Sequence, residues 1–99
     1  MPLKSYLWFD PQWPQWKSKI HLLDNKKVIF RNSIVHGQWS YEYDPNFDVG
    51  RFRISFHCRG DEERLKDHEL VSITGTSSYR LVQGPGGYSP QIVMIPLEP

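Results

Sequence analysis

Eight consecutive residues, Arg51-Phe52-Arg53-Ile54-Ser55-Phe56-His57-Cys58, alternate without a break between two chemistries. Phe52, Ile54, Phe56 and Cys58 fall on one side, and Arg51, Arg53, Ser55 and His57 on the other. A period of two belongs to an extended strand with one buried face; a helix would scatter the same four apolar residues around its circumference. The run from Val35 to Tyr43 repeats the pattern, with Val35, Gly37, Trp39, Tyr41 and Tyr43 together. Between the two lies Asp44-Pro45-Asn46-Phe47-Asp48-Val49-Gly50, rich in turn formers, so an antiparallel hairpin is expected. Setting Trp39 opposite Phe56 puts Tyr41 against Ile54 and Tyr43 against Phe52, with Glu42 facing Arg53 and Asp44 facing Arg51. A slip of two residues keeps only the Glu42–Arg51 pair. The first register is therefore expected.

The rest of the chain extends the same reading. Alanine, the best helix former, is absent altogether. Val, Ile, Phe, Tyr and Trp recur instead in short runs broken by Gly, Pro, Asn and Asp. Further strands are predicted over Lys17 to Leu23, Lys27 to Asn32, Glu69 to Thr74, Ser77 to Val82 and Ile92 to Ile95, and a first one over Tyr6 to Phe9. The turn Asp24-Asn25-Lys26 lacks the usual glycine. Asp61 to Asp67 offers one apolar residue in seven and reads as a solvated loop or a single turn. Ninety-nine residues make one domain, with 1–16 a Trp/Pro-rich strap or first strand and 17–96 a strand meander. Such a sheet, left flat, would leave one face bare. The expectation is an all-β antiparallel meander of about seven to eight strands, closing as a barrel or a compact sandwich.

Charge and cysteine content narrow the function classes. Twelve Lys plus Arg against eleven Asp plus Glu leave +1, which supplies no electrostatic case for nucleic acid or an anionic membrane. The lone cysteine excludes an internal disulfide and a four-cysteine zinc site. With no apolar run long enough for a leader or a membrane span, a soluble cytoplasmic protein is expected.

Three histidines invite a site. Pairing Phe56 with Val71 and Ile54 with Ile73 places His57 diagonal to both His36 and His68, about 7–8 Å between backbones on one polar face. Imidazoles gathered there could hold a metal, or act as acid and base in a small isomerase, lyase or metal-dependent hydrolase. Arg59 and Gln38 fall in the same neighbourhood, and Gln38, Arg53, Ser55 and His57 are candidate ligand-binding groups on that face. Scattered surface histidines are the plainer reading, since no short metal motif is present. His57 and Cys58 cannot share a proton, because adjacent strand residues point to opposite faces; Cys58 reads as a small core hydrophobe. Glu62-Glu63 sit in a charged loop, and Gln83-Gly84-Pro85-Gly86-Gly87-Tyr88 lacks the lysine and helix of a phosphate cradle.

Trp8, Trp13 and Trp16 crowd the first sixteen residues together with Pro11 and Pro14. The prolines favour an extended strap, whose indoles would either plug one mouth of the barrel or form an exposed platform. Gly37-Gln38-Trp39 resembles the G-x-W of lipocalin-type barrels, which bind small hydrophobic ligands. That likeness spans three residues and assigns no family.

Three function classes remain. The leading one is a binding module for a small ligand or a protein partner, without catalysis and without a cofactor. An enzyme built on His36, His57 and His68 is the second. The third is a structural subunit of a homo-oligomer, associating through spare aromatic surface and open sheet edges.

Overall fold

The computed structural model describes residues 2–31, 33–35, 37–56, 66–84 and 91–97. Among the described residues nine strands run: β1 Pro2–Phe9, β2 Ser18–Leu23, β3 Val28–Phe30, β4 Ser33–Val35, β5 Gly37–Asp44, β6 Val49–Phe56, β7 Lys66–Ser72, β8 Tyr79–Gln83 and β9 Val93–Pro96. A 3-10 turn, Pro14–Trp16, lies between β1 and β2. All strands join one sheet in the order β4-β3-β2-β1-β9-β8-β7-β6-β5, and every adjacent pair is antiparallel.

β4 and β5 stand at the two ends of that order, yet one residue separates them in the chain. With β4 and β5 counted together as the element serving both edges, eight antiparallel strands encircle a nearly closed barrel. Trp39 ties the seam: its backbone N–H donates to the Lys26 carbonyl at 3.2 Å and its indole N–H to the Leu23 carbonyl at 2.9 Å. Open edges, which would invite association, are thus reduced to a short seam beside β5.

Alternation fills the interior. Tyr6, Trp8, Ile20, Leu22, Val28, Trp39, Phe52, Ile54, Phe56, Leu70 and Met94 form one buried cluster. Each fully buried aliphatic or Phe side chain stabilises the fold by about 1.5–3 kcal/mol relative to exposure. Aromatic edges close the gaps: Trp8 meets Phe56 at 5.5 Å and Phe52 meets Tyr79 at 4.8 Å between centroids, both near perpendicular. Arg51 and Arg53 stay outside while Phe52 and Phe56 are buried, as the period of two requires.

Two registers differ from expectation. In the β5–β6 hairpin Trp39 pairs with Ile54, Tyr41 with Phe52, Glu42 with Arg51 and Tyr43 with Gly50. This is the slipped register, and the two glycines explain it. A Cβ on Gly37 would overlap the Ser55 carbonyl oxygen, so only glycine admits this approach, while the Tyr41 hydroxyl covers the bare Gly50. The arginines find their acid on the other neighbour, since Glu69 of β7 lies 3.3 Å from Arg51 and 3.6 Å from Arg53.

The second difference turns a whole strand over. β6 and β7 pair Phe52 with Leu70, Ile54 with His68 and Ser55 with Asp67. The offset from the expected pairing is odd, so His68 and Leu70 face inward and Val71 does not. β7 also begins at Lys66, inside the segment read as a loop. Its Asp67 and Glu69 occupy the outer face, where charge is no obstacle to a strand.

Candidate functional site

The two ends of the barrel carry different chemistry. At the end where β1 enters β2, the connection 10–17 folds over itself. Asp10 organises it by accepting the Trp13 N–H at its carbonyl, 2.8 Å, and the Gln12 N–H at its carboxylate, 2.9 Å. Trp16 N–H then donates to the Trp13 carbonyl at 3.0 Å. Pro14 at the first position of the 3-10 turn presets its backbone. This geometry stacks the Trp13 and Trp16 indoles, 5.5 Å apart at 19°, and leaves them 50% and 67% exposed.

Trp8 does not join them. Trp8 lies instead in β1, the first strand expected over Tyr6 to Phe9, and its ring is buried against Phe30 and Phe56, so only Trp13 and Trp16 stand on the connection.

At the opposite end the rings turn inward. Tyr6, Tyr41 and Tyr79 surround Phe52, with ring centroids 5.8, 4.8 and 4.8 Å from it. Tyr79 lies 6.0 Å from Tyr6 and 6.5 Å from Tyr41. Burial, with a smaller contribution from neighbouring Tyr41, pushes the Tyr6 phenol up to about 12. Burial raises Tyr79 further, aided by its hydrogen bond with Tyr41. Both phenols keep their protons at neutral pH.

Two ammonium groups lie over aromatic rings on this side of the barrel, each over different ones. Lys4 lies on the same side of β1 as Tyr6 and Trp8, with its Nζ 4.6 Å from the Tyr41 centroid and 5.4 Å from Phe52. Lys26 places its Nζ 4.1 Å from the Trp39 centroid. Such contacts contribute about 0.5–1 kcal/mol at exposed sites.

The remaining candidate residues separate. Gln38 pairs with Ser55 and Ser55 with Asp67, so they form one row on the outer wall. The Ser55 hydroxyl donates to Asp67 at 2.6 Å, and Arg53 stands beside this row against Glu69. Nearby, Glu42, Asp44, Phe47, Val49 and Arg51 line a surface hollow of about 160 Å³.

His68 is not on that wall. It is buried, stacked on Phe56 at 4.7 Å and 11° and edge-on to Trp8 at 5.2 Å. Its Nδ1 lies 3.3 Å from the Ile54 carbonyl oxygen. The odd register of β7 carried it inside, away from the polar face where a three-histidine site was expected. His36, His57, Cys58 and Arg59, with Glu62, Glu63 and residues 85–88 of the glycine-rich segment, lie outside the described residues. Among the described residues, no three His, Cys, Asp or Glu side chains gather to hold a metal.

Sequence reasoning missed Lys4, Lys26 and the Tyr6–Tyr79 pairing. A signal existed for the first: Lys4, Tyr6 and Trp8 share a period of two, which puts a lysine in line with core aromatics. It also missed the Ser5 hydroxyl, 2.7 Å from His21 Nδ1 across β1 and β2. No carboxylate hydrogen bond orients that imidazole among the described residues, so the pair lacks the third member of a nucleophilic triad.

No described helix is long and apolar enough to cross a membrane. No protein-family model, curated protein or solved structure matches the chain.

Proposed function

We propose that the protein is a binding module, in which the barrel is the scaffold and the Trp13–Trp16 stack receives a small ligand or a partner protein. Its mode is capture by surface complementarity, with no covalent step. The exposed, parallel indole pair carries this reading. Both rings are held by backbone hydrogen bonds of a short turn, so their orientation is largely set before anything binds. Rigid aromatic side chains bring large contact area at low entropic cost, which is why they dominate binding surfaces. A flat apolar face, such as a sugar ring or an aromatic side chain, matches them.

Intrinsic tryptophan fluorescence tests the reading. Titration with oligosaccharides, aromatic small molecules and aromatic-rich peptides is expected to produce one saturable change, lost in W13A/W16A. Silence toward all three classes, or a response that survives the double substitution, overturns it.

A second reading, a homo-oligomer subunit, draws on the outer wall of β9 and β1. Leu7 pairs there with Ile95, and Leu3 and Ile95 are 58% and 37% exposed. Light scattering on the purified chain separates the readings: an obligate oligomer retains its mass in W13A/W16A.

A further inference from the structure

We propose that the free edge of β5 between Ser40 and Asp44 docks an extended segment of a partner protein as an added strand, one that alternates basic with apolar residues. The site does not rest on the Trp13–Trp16 stack, which stands on the connection between β1 and β2.

Backbone direction carries the inference. β5 ends the strand order, with β6 on one side of it. Gly37–Asp44 pairs with Phe56 through Val49 without a bulge. Along such a pair, successive residues turn their N–H and C=O groups toward the partner strand and away from it in alternation. Trp39 fixes the phase, because its N–H points away from β6 and reaches the Lys26 carbonyl at 3.2 Å. Tyr41 and Tyr43 therefore direct their backbone groups the same way. The seam ends at Trp39: no described group bonds the backbone of Tyr41 or Tyr43 on that side. Those groups face water, since Tyr41 and Tyr43 are exposed, and so are Ser40 and Glu42. A row of this kind is a template for a further strand.

Side chains decide which strand fits. On the outer face the edge carries Ser40, Glu42 and Asp44. Arg51 stands opposite Glu42 yet turns to Glu69 of β7, 3.3 Å away. Among the described residues Glu42 makes no ion pair. Asp44 accepts the Asn46 N–H at 2.9 Å. A lysine or arginine of an incoming strand, set across from Glu42, completes a cross-strand pair. On the other face Tyr41 and Tyr43 offer ring surface, and Lys4 already lies over Tyr41. Apolar residues suit the positions between the basic ones. A second copy of this chain brings the wrong charge, since pairing two β5 edges about Glu42 sets carboxylate against carboxylate. In strand addition the main chain supplies affinity, and alternate side chains supply the choice of partner.

The experiment titrates the full chain with an end-blocked pentapeptide alternating lysine and valine, read by amide chemical shift and hydrogen exchange. Saturable shifts are expected over Ser40 to Asp44. Near nine-tenths saturation, exchange at the Tyr41 and Tyr43 amides should slow about tenfold, because only the free fraction exchanges. The Trp39 amide, which already has its acceptor, should not slow. Two further peptides carry methyl groups on the valine nitrogens or on the lysine nitrogens of the backbone. Both keep the charge, and one of the two is expected to lose binding: the valine form for antiparallel addition, the lysine form for parallel. Tyr43→Pro removes an edge donor on the side away from β6 and should weaken binding about threefold to tenfold. Glu42→Arg touches no backbone group and should weaken it about threefold. Four results overturn the proposal. They are no saturable shift, full binding by both methylated peptides, unchanged binding in Glu42→Arg, or shifts over Ser40 to Asp44 that grow with protein concentration alone. The last would make a second copy the occupant.

Discussion

At one end of the barrel the indoles of Trp13 and Trp16 stand outside the sheet on a turn, whereas at the other the rings of Tyr6 and Tyr79 lean inward around Phe52 and Tyr41, 38% exposed, covers it from the rim. The residue type is nearly the same, and the difference lies in what carries it. A ring on a strand inherits the alternation of that strand and is turned toward the core or away from it. A ring on a connection is free of that constraint and goes where local turn bonds send it. The inward rings therefore hold the fold together, and the outward pair is available for something else.

Substitutions can break that contrast, beginning with the most damaging. Phe52 is fully buried and touches Tyr6, Trp39, Tyr41 and Tyr79. Phe52→Ala is expected to cost about 3–5 kcal/mol in denaturant unfolding, because it leaves a cavity where four rings meet. Alkali should attack the same end next. An unfolded tyrosine ionises near 10, while Tyr6 in the fold does so near 12 and Tyr79 is also raised. The unfolded state therefore loses its protons first. Stability should be intact below about pH 10 and fall steadily as pH rises through 12. Tyr6→Phe and Tyr79→Phe should each flatten that decline in a pH series of thermal melts.

Gly50→Ala is milder. Its Cβ would meet the Tyr41 hydroxyl and displace the ring, at about 1–3 kcal/mol. Smallest of all is the outward pair: Trp13→Ala and Trp16→Ala should each change stability by less than about 0.5 kcal/mol. A loss as large as that of Phe52→Ala would mean that the indoles hold the barrel shut, and the contrast between the ends would vanish.

Much of this architecture was legible from residue order. The faces of β6 followed directly from its alternation, and the turns from Asp, Asn, Pro and Gly. Register was not legible, because rival pairings differ by about 0.2–1 kcal/mol per cross-strand pair and two slipped registers keep the same faces. What decided the β5–β6 pairing was three-dimensional: the closeness of Gly37 to Ser55, the cover of Tyr41 over Gly50, and an acid from a third strand. β7 was harder still. Its first residues are charged, which hid a strand whose outer face tolerates charge, and an odd offset then moved His68 from the expected polar face into the core. Of the candidate residues, Trp13 and Trp16 were recognisable because three tryptophans in sixteen residues is unusual. Lys4 and Lys26 were not, since a surface lysine needs no explanation until its position over a ring is known.

The pairing of β1 with β9 joins Tyr6 to Pro96, nearly the full length of the chain apart. Every other strand pair links segments adjacent in sequence, apart from the turn contacts at the seam, and can form as a growing hairpin. Closure must then wait for the last strand, Val93–Pro96, to leave the ribosome, and it carries the entropy of shutting one long loop. This final step should set the pace of folding, and until it happens the nascent chain presents β1 and β8 as unpaired edges that a chaperone can hold.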